Sequence, residues 1–513
     1  ITNHGYINNP TFRGMRQSLM KSFNEIYILN LHGNSLKKEK CPDGSKDENV
    51  FDIQQGVTIG LFIKKKIGEN NVWHSEIWGL RENKYEWLLK NNIKTTKWKK
   101  ISPKSELYLF VPRKEKLLKQ YESYPKATDI FPLNGVGMTT ARDGFVIDMN
   151  KNNLLNRIRL FKNSKYTDDE LHTSFQISKK KGWSIRKAWK MLQPIPDTDL
   201  NKHIIPILYR PFNTQWIFYH DSVVWRTVKR VMQHMMQANL CLITHKREEL
   251  NIPWSHALAT DLITEHGSLS TKTTNYLFPL YLYQEKENPK KRFLGAIMML
   301  FEPAAEYGVK KPNLSPVFIE KLTKEFNKTP SPEEIFYYIY AVLYSNIYRT
   351  QYAEFLKIDF PRIPFAKDYK LFKKIGDYGE KLVNLHLLKS SELDTPVAKF
   401  QGKGNDKVEK LRYENLPIPS LVKGGKGGFG HLYINQFQYF EGISPEVWEY
   451  QIGGYQVCEK WLKDRKGKSL SVEDTKHYCK MVTALKKTIE IQAKIDSIYQ
   501  DVEKNIIEFS AVP

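Results

Sequence analysis

Apolar positions change their period several times along the chain, and each change marks an element. Phe12, Met15, Leu19, Met20 and Phe23 recur at helical spacing, with Thr11 placed to cap the helix. Ile26, Tyr27, Ile28, Leu29 and Leu31 then form a short run apolar on both faces, the pattern of a buried parallel strand, and Val57 to Ile63 reads as another buried strand. The polar stretch 34–49 lies between them as a loop. Strand, helix, strand, loop and strand over residues 1–64 read as the second half of a nucleotide-cofactor α/β domain, with the first half expected upstream.

Farther on, Pro112, Pro125 and Pro132 mark a linker-like stretch, and a polar helical segment with a Lys179–Lys181 run is expected over roughly 150–192. A mixed region rich in Tyr, Phe and Pro continues to about 300. Ser331-Pro332-Glu333-Glu334 has the form of a capping box with proline at the first helical position, so a buried helix carrying Ile335, Phe336, Ile339, Val342 and Leu343 should follow. The glycine-rich KGGKGGFG at 423–430 lacks the ending of a phosphate-binding loop and no apolar strand leads into it, so it reads as a surface loop. Gly135 and Gly137 read as a turn. Tyr478, Val482, Leu485, Ile489 and Val502 share one face of a closing amphipathic helix near 474–504.

Composition adds a partner. With 79 Lys and Arg against 56 Asp and Glu the net charge is +23, and no single tail accounts for it. A polyanion such as nucleic acid is the expected partner, because counterion release drives cationic proteins onto it; a merely basic solvated surface is the alternative. The four cysteines at 41, 241, 458 and 479 show neither zinc spacing nor a disulfide framework, which fits a reducing cytoplasm. No apolar run approaches the ~20 residues of a membrane span, and no signal peptide is evident. His234, His245, His256 and His266 are spread by ten or eleven residues, so no metal ligand set is expected from them. Asp261 and the Glu265-His266 pair have no nucleophile beside them.

Seven stretches, in order along the chain, carry a family resemblance: NPTFRGMRQSLMKSF (9–23), IYILNLHGN (26–34), ENVFDIQQGVTI (48–59), YRPFNTQWIFY (209–219), SLSTKTTNYLFPLYLY (268–283), FYYIYAVLYSNIYRTQYAEFLKIDFPRIPF (336–365) and GGYQVCEKWLKDRKG (453–467). They resemble the C-terminal part of Type ISP restriction-modification enzymes, in which one polypeptide joins a nuclease, a translocase, an adenine methyltransferase of the gamma class and a target-recognition domain. The resemblance implies an α/β fold. Residues 1–112 would be the C-terminal half of a Rossmann-like methyltransferase domain. Residues 113–330 would be the first part of a mixed α+β target-recognition domain, and 331–513 its helical C-terminal part.

The implied partners are double-stranded DNA and the upstream methyltransferase, translocase and nuclease portion, in cis or as a separate chain. The implied cofactor is S-adenosylmethionine, bound mainly by residues not in this sequence. Its glycine-rich pocket does not occur here, nor does the Asn/Asp-Pro-Pro-aromatic tetrapeptide that holds the adenine amine; Asn9-Pro10-Thr11-Phe12 reads as a helix start. This segment alone is therefore expected to be inactive, within a parent enzyme that methylates adenine at a specific site. A stand-alone DNA-binding remnant or specificity subunit is the alternative.

The resemblance also assigns roles. Phe51 matches the aromatic residue that packs on the flipped target base, though a core Phe at a strand start is equally compatible with its neighbourhood. Residues 225–236 read as a two-faced helix, with Trp225, Val228, Val231, Met232 and Met235 opposite Arg226, Lys229, Arg230 and Gln233. Arg reads guanine and Gln reads adenine in the major groove, so the basic face is a candidate for readout or a solvated surface. Lys246, Arg247, Ser270, Lys272 and Asn275, with their hydroxyl-bearing neighbours, suit phosphate and base-edge contacts, or equally a loop and strand start. Arg210 is read as structural, and Gln215 stands where relatives often carry a basic residue.

Overall fold

A computed structural model describes residues 1–35, 39–65, 69–103, 107–112, 115–177, 179, 182–248, 252–283, 310–416 and 429–509. The chain separates into two compact units, one built on Ile1–Gln120 and the other on Tyr121–Glu248 with Pro253–Pro513.

The first unit is a mixed five-stranded sheet. Its spatial order is Thr2–Asn3, Val57–Ile63, Glu25–His32, Asn71–Glu76, Lys99–Ile101. Glu25–His32 is the parallel partner of Asn71–Glu76, as its two-sided apolar run requires, and Ile26, Ile28, Leu29 and Leu31 are buried. Val57–Ile63 is a strand, but it pairs antiparallel and only Val57 and Thr58 are buried, so the rest of it is a partly wet surface rather than core.

Helix Arg13–Ser22 forms as expected, but Thr11 does not cap it. A 3-10 turn over Pro10–Phe12 comes first, and Asn9 Oδ1 accepts the Thr11 N–H at 2.9 Å. On the helix Phe12 and Met15 are exposed, and the buried residue is Arg16. Its guanidinium donates to the carbonyls of Tyr6 (2.6 Å), Asn9 (2.8 Å) and Leu107 (2.7 and 3.0 Å), closing backbone acceptors that would otherwise be stranded.

In the second unit the polar segment 150–192 resolves into three helices, Lys151–Asn163, Asp168–Ser174 and Ile185–Leu192. Lys179 pairs with Asp169, and the rest of the Lys179–Lys181 run lies outside the described residues. These helices pack with a four-stranded sheet ordered Ile263–Thr264, Ile204–Arg210, Asn213–Phe218, Ile147–Asp148. A second sheet, fully antiparallel, runs Ala257–Thr260, Cys241–His245, Asn275–Pro279, Gly135–Val136. Gly135 and Gly137 thus belong to a strand and its extension, not to a turn. A Cβ on Gly137 would lie 2.6 Å from the His266 backbone nitrogen, so glycine permits that close approach.

The C-terminal part is built on helices Pro332–Tyr344, Tyr369–His386 and Val472–Lys504, with an antiparallel sheet ordered Lys399–Gln401, Tyr439–Ile443, Phe429–Tyr433, Arg412–Leu416. The Ser331 capping box forms as read. The aromatic excess goes into this core. Tyr338, Tyr340, Tyr344, Tyr348 and Tyr352 are fully buried, and each hydroxyl has a partner: the carbonyls of Pro364, Ala257 and Arg362 for Tyr338, Tyr344 and Tyr348, His386 for Tyr340, and Glu503 for Tyr352. An unpaired buried hydroxyl would cost about 1–3 kcal/mol, so this ladder specifies the packing as well as filling it. Residues 423–428 of the glycine-rich stretch lie outside the described residues. No described helix is long and apolar enough to cross a membrane.

Candidate nucleic-acid interface

In the first unit a framed loop presents Phe51. Lys84, fully buried, donates to Asp47 (2.7 Å) and to the carbonyls of Leu31 (2.8 Å) and Glu48 (2.6 Å). Asp47 also accepts the backbone N–H groups of Gly33 (2.6 Å) and Gly79 (2.9 Å). Asn49 reaches the carbonyls of Gly33 and Gln55 and accepts the Phe51 N–H. Gly33 has φ +84°, and a Cβ there would meet the Asn49 Cα at 2.4 Å, so only glycine fits. Arg81 closes the outer side, donating to the carbonyls of Asn49 and Phe51 and pairing with Asp52 at 2.8 Å. On this frame Phe51 is 44% exposed, with Ile53 50% exposed nearby in sequence. Phe51 is therefore not a core residue at a strand start.

In the second unit the segment 225–236 keeps its two faces but is not one helix. Helix Lys229–Met232 is a single turn, followed by a 3-10 turn over Gln233–Met236. Arg226 lies before it, in an antiparallel bridge with Thr139, and Val228 adopts a left-handed backbone with φ +48°. The bridge claims Arg226 for extended structure, so the helix cannot start at Trp225. Val231, Met232 and Met235 are buried, Arg226, Lys229 and Arg230 are exposed, and Gln233 is half-buried. Lys229 pairs with Asp221, which also accepts from Thr227.

Residues 138 and 139 tie this segment to a second loop. Thr139 exchanges backbone hydrogen bonds with Arg226 at 2.9 and 3.0 Å, while Met138 donates to Thr264 (3.1 Å) and accepts from His266 (2.8 Å). The Arg226 segment and the loop after Thr264 therefore share one support. That loop is pinned by Glu265, which pairs with Arg210 at 2.9 Å and His266 at 2.8 Å. Burial pushes the Glu265 carboxyl up, but the His266 hydrogen bond and the Arg210 charge outweigh it and hold it below its ordinary value. The same hydrogen bond raises His266. Arg210, 6% exposed and stacked on Tyr209 at 3.9 Å, is structural as read.

Within the loop, Ser270 and Asn275 are buried. Ser270 Oγ accepts the Lys272 N–H, Asn275 Nδ2 donates to Ser268 Oγ, and Asn275 pairs in register with His245. These internal bonds withdraw Ser270 and Asn275 from the surface a partner could touch. Thr271, Lys272 and Thr274 remain exposed. Lys246 is half-buried with its ammonium 5.7 Å from the Phe360 ring centre, and Arg247 is exposed. Gln215 is buried in its strand.

Sequence reasoning missed Arg142. The residue is 6% exposed, its guanidinium stacks on Trp183 at 3.6 Å and lies 5.7 Å from Trp225, and burial lowers its pKa to about 10. It also missed two clusters, His4–His32–Glu39 in the first unit and His245–Glu248–His256 in the second. The even spacing of the histidines hid the second cluster: antiparallel pairing of Thr244 with Ala257 sets His245 beside His256.

The fold is shared with solved structures of restriction-modification assemblies. The chain is similar to a nuclease-deletion mutant of the Type ISP restriction-modification enzyme LlaGI in complex with a DNA substrate mimic (TM-score 0.63, 18% identity). It is similar also to the ATP-dependent Type ISP restriction-modification enzyme LlaBIII bound to DNA (0.66, 20%) and to the DrdV–DNA complex (0.66, 21%). Each match covers 96% of this chain but only 45%, 32% and 49% of the respective structure, so the chain spans less than half the length of each. Comparison with curated proteins gives no match. Residues 129–494 match the Type ISP C-terminal specificity domain, and the chain belongs to that family.

Proposed function

We propose that this chain selects the DNA site of a larger restriction-modification enzyme and that residues 1–112 close the sheet of its adenine methyltransferase domain, a Rossmann-like fold completed by residues outside this sequence. The family match over 129–494 carries the reading. The +23 charge supports it, as do the exposed cations Arg226, Lys229 and Arg230 beside a shared backbone support, with Arg247 and Lys272 exposed in the same unit. On this reading Arg226, Arg230 and the half-buried Gln233 address base edges, while Lys229, Lys246, Arg247 and Lys272 address phosphates. The exposed ring of Phe51 is the residue that would stack on the extruded adenine.

S-adenosylmethionine does not find its pocket among the described residues. The turn after Glu25–His32 is filled by Asn49 against Gly33, and Asn9–Phe12 closes on itself through the Asn9–Thr11 hydrogen bond. Residues outside this sequence would supply most of its site.

The test is selection of bound DNA from a random duplex pool by this chain, with a methyl-transfer assay beside it. Enrichment of one sequence without methyl transfer is the expected result. Salt-sensitive binding with no enriched sequence would remove the specificity role. Robust methyl transfer by this chain alone would overturn the division of labour.

A further inference from the structure

The strand Cys241–His245 ends at a cluster that the DNA reading does not use. We propose that His245, Glu248 and His256 form a binding site for a divalent transition-metal ion, zinc by its ligand chemistry.

The geometry comes from the sheet. Antiparallel register pairs Thr244 with Ala257, and the next pair outward is His245 and His256. Their rings meet edge to face with centroids 4.1 Å apart, and His256 Nε2 lies 2.7 Å from Glu248 Oε2. One donor atom from each of the three residues lies within 4.8 Å of the other two. Zinc takes imidazole nitrogen and carboxylate oxygen at about 2.0–2.2 Å, which requires donors a little over 3 Å apart in a tetrahedral set. The observed spacings, from 2.7 Å to within 4.8 Å, bracket that value, so small side-chain rotations bring the three donors to it.

Burial makes the cluster unusual. His245, His256 and the Glu248 side chain are fully buried. Both ring nitrogens of both histidines lack a hydrogen-bond partner among the described residues. The His256–Glu248 contact is short but not aligned as a hydrogen bond, which is how ligands converging on a common ion approach one another. The Leu356 carbonyl faces His245 without reaching hydrogen-bond geometry. Buried polar atoms are nearly always hydrogen-bonded, and four imidazole nitrogens in one place without a hydrogen bond call for a ligand. Two imidazoles with one carboxylate favour zinc-like ions over magnesium or calcium, which take oxygen sets.

The other histidine cluster is different in kind. His32 bonds Glu39 at 2.9 Å, Glu76 at 3.3 Å and Asn30 at 3.1 Å, so its nitrogens already have partners. The His245 site has a structural rather than a hydrolytic character, since its ligands are shut from solvent. An ion there would clip the end of one strand to the start of the next and fix the stretch carrying Lys246 and Arg247.

The experiment uses the full chain purified without a polyhistidine tag, stripped with chelator and reloaded with zinc or cobalt. One zinc per chain is expected by elemental mass spectrometry. Cobalt loading should give the visible d–d absorption of a low-symmetry nitrogen–oxygen site. Saturating zinc at a hundredfold over Kd should raise Tm by about 3 °C. H256Q should lose stoichiometric zinc and the Tm shift, while H32Q should keep both. If H256Q does not fold, E248Q reads the same loss. Absence of stoichiometric zinc from the wild-type chain, undiminished binding in the folded H256Q or E248Q protein, or loss confined to H32Q overturns the proposal.

Discussion

Lys84 Nζ lies 2.7 Å from Asp47 Oδ1, with neither side chain exposed to solvent. The pair is the keystone of the loop that carries Phe51. Removing one partner leaves an uncompensated buried charge, which costs about 3–5 kcal/mol. K84M is expected to lower the unfolding temperature of the full chain and to abolish amide-exchange protection at Gly33 and Gly79, whose N–H groups Asp47 accepts. Unchanged protection would show that the loop holds without the pair.

Phe51 is exposed, so its role separates from stability. F51A is expected to change folding free energy by no more than about 0.5 kcal/mol. In the assembled enzyme it should weaken the fluorescence rise of 2-aminopurine placed at the target adenine, because the extruded base loses its stacking surface. An unchanged rise would take Phe51 out of the base-holding site.

Arg230 and Lys229 are neighbours with different expected signatures. Arg230 is exposed, whereas Lys229 is held by Asp221. R230A should cost about 1–3 kcal/mol on the preferred DNA and relax selection at one base pair. K229A should weaken all sequences alike and reduce the slope of log K against log salt by about 1. Equal losses on all sequences for both variants would mean that neither reads a base.

Lys272 lies in the loop and Asn275 opens the strand that follows it, and the two divide surface from support. K272A should leave thermal stability unchanged and reduce the salt slope. N275A should destabilise the chain, because its side chain bonds Ser268 inside the loop and its backbone lies in the sheet. A stable N275A with weakened DNA binding would return Asn275 to the interface.

The Glu265–His266 pair sets a pH window. His266 is raised in the folded state, so its contribution is fully present below its ordinary value of 6.5 and is lost as pH rises through the folded value. Glu265 is lowered, so its contribution is present above 4.5 and is lost as pH falls through its folded value. The pair therefore stabilises most between pH 4.5 and pH 6.5. Denaturant titrations from this range upward should show a stability advantage of wild type over H266Q that fades as pH rises past 6.5 through the raised folded value. A difference independent of pH would assign His266 a packing role alone.

What the sequence made legible was local. The order of strand and helix in residues 1–64, the Ser331 cap and the solvent face of Arg226, Lys229 and Arg230 all follow from patterns within a dozen residues. What it hid depends on distant partners. Arg16 reads as helix surface until the Leu107 carbonyl arrives from ninety-one positions away to bury it. The helix expected from Trp225 is cut short by Thr139, and Ser270 and Asn275 look like contact residues until the sheet encloses them. His245 and His256 look scattered until an antiparallel register sets them side by side.

The two-residue stretch Met138–Thr139 bonds one basic segment on one side and the loop after Thr264 on the other. On the proposed reading, retuning such a surface for a new sequence therefore has two regimes. Exchanging the side chain of Arg226 or Arg230 should alter single letters, because the shared backbone stays in place. Altering the stretch itself shifts both loops at once. New preferences should thus accumulate by side-chain replacement on a fixed spacing, and jumps to differently spaced sites should coincide with changes at 137–139.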